Sequence, residues 1–387
     1  MADGPHFSGF HRRLATLPVS LGGLGIQLPS DSLQFAFFSS FLSSLPLQDR
    51  ILGLPATTEL GLEALPPTVS QQLNSFAAHV STDHSSPAEI IAKVLTQASA
   101  PLRNVALPPP KLQLSMARMY YEFEQGKLLR HPHILSKDPD TQHRFRAVID
   151  SNSNGRASAW LFALPNAGLS QQMTSLEFQA AASFRLMLPQ FPPGCFCTQK
   201  TCIAAMDVFG YHSLVCRGHL LARHNAVRDA LHDLMVRARF NPVKDAPVTC
   251  LGYQSGRPAA LRPADILMAG DDFDHDCVDV TVVSPLVTNN QRAVKVGKTA
   301  REAEDMKVRK HRVACEQAGF GFKPFAVDVF GVLAPDSAKL LDRVQSRMAR
   351  ETCCDEYKAA AICDRRISFA VQLGVARQVV QSRHIED

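Results

Sequence analysis

Cys277-Val278-Asp279-Val280-Thr281-Val282-Val283 alternates with a period of two, so Val278, Val280 and Val282 face one side of a strand while Asp279, Thr281 and Val283 face the other. A carboxylate is thereby set on the second face. Two shorter strand candidates precede it, Val248–Tyr253 and Ala264–Met268. Before them, Leu220–Phe240 carries Leu220, Val227, Leu231, Leu234 and Ala238 on one face of a helix. Downstream, Gly297–Gly319 reads as a long charged helix with glycine at its stop, followed by a strand over Phe325–Phe330 and a helix over Ser337–Arg350. The order is helix, three strands, helix, strand. A helix between the third and fourth strands is long enough for a parallel crossover, which predicts a small α/β sandwich.

The first 190 residues have a different texture. Leu17–Ile26 is an apolar run broken by Gly22, Gly23 and Gly25, expected as a loop or close backbone packing, and Phe35–Leu42 is small and aromatic. Between Pro55 and Pro110 a connector is expected around one helix, Pro87–Ala98, with Ser86 placed to cap it. Met116–Leu129 is a second helix, and Ser175–Leu188 a third that must end before Pro189.

With 387 residues, 45% of them hydrophobic and 20% charged, the chain can bury a sizeable core, and two or three domains are expected. Its 41 Lys and Arg against 36 Asp and Glu leave +5, which permits a nucleic-acid partner without requiring one. No run of eighteen uncharged apolar residues exists, and Met1–Asp31 lacks the pattern of a secretory signal. The expectation is a soluble intracellular protein without a membrane partner.

All ten cysteines lie at or beyond Cys195. Cys197, Cys202, His212 and Cys216 are separated by four, nine and three residues, so two pairs of soft ligands on short turns can wrap one tetrahedral Zn²⁺. Cys195 is an alternative to Cys197. The plainer reading is a set of buried thiols beside a surface histidine. His219 and His224 fall outside the four, where a histidine on a helix face ordinarily serves the structure.

The acidic residues form a second group. Asp265, in Arg262-Pro263-Ala264-Asp265, and Asp279 have thirteen residues between them, which suits two carboxylates brought together by adjacent strands. Paired carboxylates are hard oxygen donors for Mg²⁺, the setting for metal-assisted phosphodiester hydrolysis. Thr281 stands two residues after Asp279, where a lysine would be useful, but the following helix supplies Lys307 and Lys310, with His311 adjacent. The plainer reading makes Asp265 a turn cap, Asp279 a sheet-edge charge and Lys307–Arg312 a solvated face. Gly270-Asp271-Asp272 superficially matches a polymerase hairpin, yet no partner aspartate precedes it at a suitable distance, so an acidic turn is expected over Asp271–Asp276.

Taken together, Cys197…Cys202, Asp207–His212…Cys216, Arg223-His224-Asn225, Arg262–Asp265, Val278–Leu286, Lys307–His311 and Pro324–Gly331 resemble the C-terminal part of non-LTR (LINE-like) retrotransposon polyproteins. The resemblance covers about Cys195–Gly331. It implies a zinc knuckle at 195–219 and a restriction-like endonuclease of the PD-(D/E)XK superfamily at 220–350, with the αβββαβ order read above. It further implies a reverse transcriptase thumb-like remnant at 1–60, a helical linker at 61–190 and a C-terminal helical tail at 351–387, with a mainly helical N-terminal region. The implied activity is Mg²⁺-dependent nicking of double-stranded target DNA, so that the exposed 3′ end primes reverse transcription, with the element's RNA as a further partner, the nucleus as the site of action and no small-molecule cofactor. Asp265 and Asp279 would hold the metal, Lys307 or Lys310 would be a displaced catalytic lysine, and Asp245 a further acidic ligand. Arg223, His224, Asn225 and Arg262 would face nucleic acid. The polymerase palm is missing, His311 stands where similar proteins often have Tyr, and the Cys197–Cys202 gap is wider than usual. A non-catalytic zinc-containing binding module from a decayed element is therefore the alternative.

Overall fold

The computed structural model describes residues 7–53, 61–103, 111–199, 202–216, 220–254, 257–270, 273–287 and 295–383. The helices in chain order are α1 (Gly9–Thr16), α2 (Pro29–Leu52), α3 (Pro67–Val80), α4 (Pro87–Arg103), α5 (Leu112–Leu129), α6 (Pro132–Leu135), α7 (Pro139–Asn152), α8 (Ser175–Arg185), α9 (Leu220–Arg237), α10 (Lys298–Gln317), α11 (Pro335–Glu351) and α12 (Glu356–Gln381). The strands are β1 (Val243–Lys244), β2 (Cys250–Gln254), β3 (Arg257–Leu261), β4 (Ile266–Ala269), β5 (His275–Val283) and β6 (Gly321–Asp328), making the protein mixed α/β. None of these helices is long and apolar enough to cross a membrane.

Two compact units result. One holds residues 13–18 and 25–131, the other 1–12, 19–24 and 132–387, so neither of the expected boundaries at 60 and 190 is where the chain divides. The physical reason in the first unit is that α2 is packed with α3 and α5, across the expected boundary at 60. Phe38 meets Phe76 edge-on at 5.7 Å, and Phe35 lies against Tyr120 and Tyr121. Within that unit Arg13 donates from Nε to Glu124 Oε2 at 2.8 Å, and it also pairs with Asp31. In α4, Ser86 and Glu89 exchange backbone-to-side-chain hydrogen bonds, the capping that the serine predicts.

In the second unit the four-stranded sheet runs β1-β4-β5-β6, with β4 antiparallel and β6 parallel to β5. The parallel pair is joined through α10, as expected. Val278 and Val280 on β5, with Phe325 and Val327 on β6, turn toward Leu231 and Leu234 of α9, Leu341 and Val344 of α11, and Ile367 and Val371 of α12. Cys277 and Phe322 turn the other way, toward Ala314 and Cys315 of α10. Asp279 shares that second face, as the period-two reading requires.

Two expectations need correction. Val248–Tyr253 does not enter the four-stranded sheet: among the described residues β2 pairs only with β3, in a separate antiparallel hairpin. The vacant place is taken by β1, whose Val243 and Lys244 pair with Leu267 and Ile266. Two exposed residues have no apolar period, so only the long-range pairing reveals them as a strand. Nor is the C-terminal segment a tail. α12 is buried along most of its length, and it approaches α9 so closely that a Cβ on Gly374 would lie 2.7 Å from Arg223 Cγ. Asp271 and Asp272, of the expected acidic turn, lie outside the described residues, as does His219.

The glycine-rich segment is loop-like as expected, and a residue far along the chain anchors it. Arg185, 2% exposed, donates from Nε to Gly23 O, from Nη2 to Val19 O, and from Nη1 to Asn152 Oδ1 and Ser158 Oγ. Carbonyls and neutral side chains thus hold a guanidinium that burial pushes down to about 9.

At the end of β6, Asp328 Oδ1 accepts from the N–H groups of Phe330 and Val332, both at 2.9 Å, and burial pushes its carboxyl up to about 7. A carboxyl raised above its unfolded value contributes stability that is present below about 4 and lost as pH rises through about 7. Asp328→Asn keeps the Oδ1 acceptor and removes the charge. It is expected to melt higher than the native protein at pH 8 and to lose part of the decline between pH 4 and 8; an unchanged decline in thermal melts across that range would contradict this.

Candidate functional site

The Cys/His group is built by local turns. Cys197 N donates to Ala204 O at 2.9 Å and Met206 N to Cys195 O at 2.8 Å, closing a short antiparallel loop that presents Cys197 and Cys202. Asp207 then gathers the next turn: its carboxylate accepts from the backbone N–H of Phe209, Tyr211 and His212 at 3.1, 3.0 and 2.7 Å. Gly210 makes this turn possible, since φ is +79° and a Cβ there would press on the Phe191 ring at 2.8 Å. Cys216 N reaches back to His212 O at 3.0 Å, which brings the last thiol under the imidazole.

The four donor atoms lie within 4.8 Å of one another. A tetrahedral zinc with Zn–S of about 2.3 Å and Zn–N of about 2.0 Å requires edges of about 3.8 Å between sulfurs and about 3.5 Å between sulfur and nitrogen. Cys197 Sγ to Cys216 Sγ is 3.7 Å and Cys202 Sγ to His212 Nε2 is 3.4 Å. The donor type and spacing fit, so this Cys₃His group can hold a metal ion such as zinc. Cys195, the expected alternative, stands outside the four.

The acidic group is assembled by sheet register. Ile266 is paired with Val278, so one further step along the antiparallel ladder sets Asp265 opposite Asp279. Asp265 Oδ2 accepts from Val280 N at 2.7 Å, which ties it to β5. From α10, Lys307 Nζ donates to both Asp279 oxygens at 2.9 Å, and His311 Nε2 lies 3.3 Å from Asp279 Oδ2. Lys307 and His311 are four residues apart, which puts them on one helix face. Lys310 is exposed, so of the two candidate lysines only Lys307 reaches the carboxylate. From α9, His224 Nε2 lies 3.4 Å from Asp265 Oδ1.

Electrostatics separate the two carboxylates. Burial pushes Asp279 up to about 6, Lys307 opposes this, and the negative charge of Asp265 adds to it. Asp265 is buried less, and His224 holds it below the ordinary value despite that burial. His311 is pushed down to about 4, first by burial and then by the charges of Lys310 and Lys307. A neutral imidazole therefore faces Asp279 at neutral pH.

Other expected residues lie elsewhere. Asp245 donates its backbone N–H to Asp265 O at 2.9 Å, but its carboxylate is held by Arg228 Nη1 at 2.7 and 2.9 Å and is mostly exposed. Arg223 faces the interior at 1% exposure, donating to Gln378 Oε1 at 2.8 Å and to Val282 O at 3.1 Å. Its side chain serves the contact between α9 and α12, not the surface. Asn225 lines a groove between α9 and α12, and Arg262 is exposed. The partnerships of His224 with Asp265 and of His311 with Asp279 were missed. The spacing of Lys307, His311 and Cys315 at intervals of four was the available signal for the second.

No protein-family model matches this chain, and no curated protein matches it. The chemistry is accordingly read from the residues themselves.

Proposed function

We propose that the second unit is a metal-dependent DNA endonuclease of PD-(D/E)XK type joined to a structural zinc knuckle, of the kind carried by non-LTR retrotransposon proteins and acting on duplex DNA in the nucleus. The observation that carries this reading is the placing of Asp265 opposite Asp279, with Lys307 bound to the second carboxylate. Two opposed carboxylates are the donor type that Mg²⁺ takes. Bound there, the ion would acidify an attacking water and neutralise charge on the leaving oxygen. Lys307, which donates to both oxygens of Asp279, would stand beside the loaded carboxylate, where it could orient the nucleophile. His311 restrains Asp279 from beneath, and His224 restrains Asp265.

A non-catalytic binding module is favoured by one observation, the capture of Asp245 by Arg228, which takes the expected third carboxylate away from the pair. Nicking of supercoiled plasmid in Mg²⁺ separates the two readings. The endonuclease reading expects nicking that falls on the order of 10²-fold or more in Lys307→Ala and little in Lys310→Ala. Absence of nicking by the native chain at any divalent ion would leave the binding module.

A further inference from the structure

Lys339, Arg343, Arg347 and Arg350 follow one another at intervals of four, four and three on α11, which sets four cations on one face of the helix. Beside the N-terminal part of that face, at the outer strand β6, a cavity of about 230 Å³ is lined by Lys339 and Arg343 together with Arg312 of α10 and Lys323 of β6. Six positive charges from three elements thus share one surface.

Among the described residues, two ion pairs to these cations are seen. Lys339 pairs with Asp336 at 2.9 Å, and Arg343 reaches the buried Asp276 at 3.4 Å. Arg312, Lys323, Arg347 and Arg350 have no acidic partner among the described residues. Like charges at four-residue spacing repel, so this stripe is unfavourable to the helix by itself. Two of its members are nevertheless held in place. The guanidinium groups of Arg343 and Arg347 lie over the single ring of Phe240, at 4.8 and 4.3 Å from its centroid, and Arg347 Nη2 also donates to Arg239 O at 3.0 Å. Planar donors backed by an aromatic ring and flanked by further cations suit a row of phosphates better than a single small anion. From Lys339 to Arg350 the helix rises about 16 Å, the axial length over which one strand of a duplex carries about five phosphates.

We infer that this face of α11, with the cavity at its end, binds the phosphodiester backbone of a nucleic acid at a site separate from Asp265 and Asp279. The inference is independent of the endonuclease reading, since it concerns binding at a surface that holds none of the proposed catalytic groups.

Arg312, Lys323 and Arg350 can be changed without removing a protein ion pair. Binding of the full chain to a fluorescent DNA duplex of about 20 base pairs, and to a single-stranded RNA of similar length, is measured by anisotropy over a range of salt. The triple variant Arg312→Gln, Lys323→Gln, Arg350→Gln is expected to bind tenfold or more weakly, with a salt slope shallower by about 3. The charge-keeping triple Arg312→Lys, Lys323→Arg, Arg350→Lys should bind as the native chain does, which separates charge from folding; both triples should keep the native melting temperature and metal content. Loss on the duplex alone assigns the face to DNA, loss on RNA alone assigns it to RNA, and loss on both assigns it to any phosphodiester backbone. Native affinity and slope of the glutamine triple on both probes would overturn the inference, as would equal weakening by the charge-keeping triple.

Discussion

Cys216→Ser is expected to strip the metal from the Cys₃His group and to unfold the turns that carry it. Cys216 Sγ lies 3.7 Å from Cys197 Sγ, and its loss leaves three donors, too few to close a tetrahedral structural site. Met206, Tyr211 and Leu214 of this segment are buried, so packing holds part of it, and metal binding, worth on the order of 10 kcal/mol in small zinc modules, adds to that. Burial pushes the Cys197 thiol up to about 11, and neighbouring Cys216 and Cys202 add to this, so loading must expel a proton and retention of metal must weaken in acid. Metal content by mass spectrometry should fall from one ion per chain to near zero. Cys195→Ser should retain the ion. Equal metal content in Cys216→Ser and the native chain would show that another ligand set is in use.

Asp279→Ala is expected to lower nicking on the order of 10³-fold while duplex binding persists, because it removes a proposed metal donor and leaves Lys307 without its carboxylate. Because burial pushes Asp279 up to about 6, nicking at limiting Mg²⁺ should rise with pH through that value as the carboxylate becomes free to take the ion. Stability should move oppositely. A carboxyl raised from about 4 to about 6 contributes stability that is complete below the lower value and lost above the upper one, so Asp279→Asn is expected to melt higher than the native chain at pH 8. A variant that nicks at the native rate would remove Asp279 from the site.

Where near neighbours in the chain suffice, the reading from residues alone carries far. Alternating Val278, Val280 and Val282 set the buried face of β5 and the opposite placing of Asp279, and helical spacing located α9, α10 and α11 within a few residues. Spacing likewise picked out Cys197, Cys202, His212 and Cys216 as one group. Each of these follows from the geometry of one strand, one helix or one pair of turns, and local backbone geometry repeats whatever surrounds it.

Tertiary structure decided what depends on distant partners. Arg223 and His224 are adjacent on α9, yet one is buried against Gln378 and Val282 while the other meets Asp265. Lys307 and Lys310 look equivalent until α10 lies on β5 and turns only the first toward Asp279. β1 carries no periodic signal and exists because β4 offers it a ladder, while Arg185 finds two of its acceptors, Gly23 O and Val19 O, more than a hundred residues upstream. Such choices are made by which backbone groups and charges would otherwise be buried without partners, a cost set by packing between segments and invisible to spacing within any one of them.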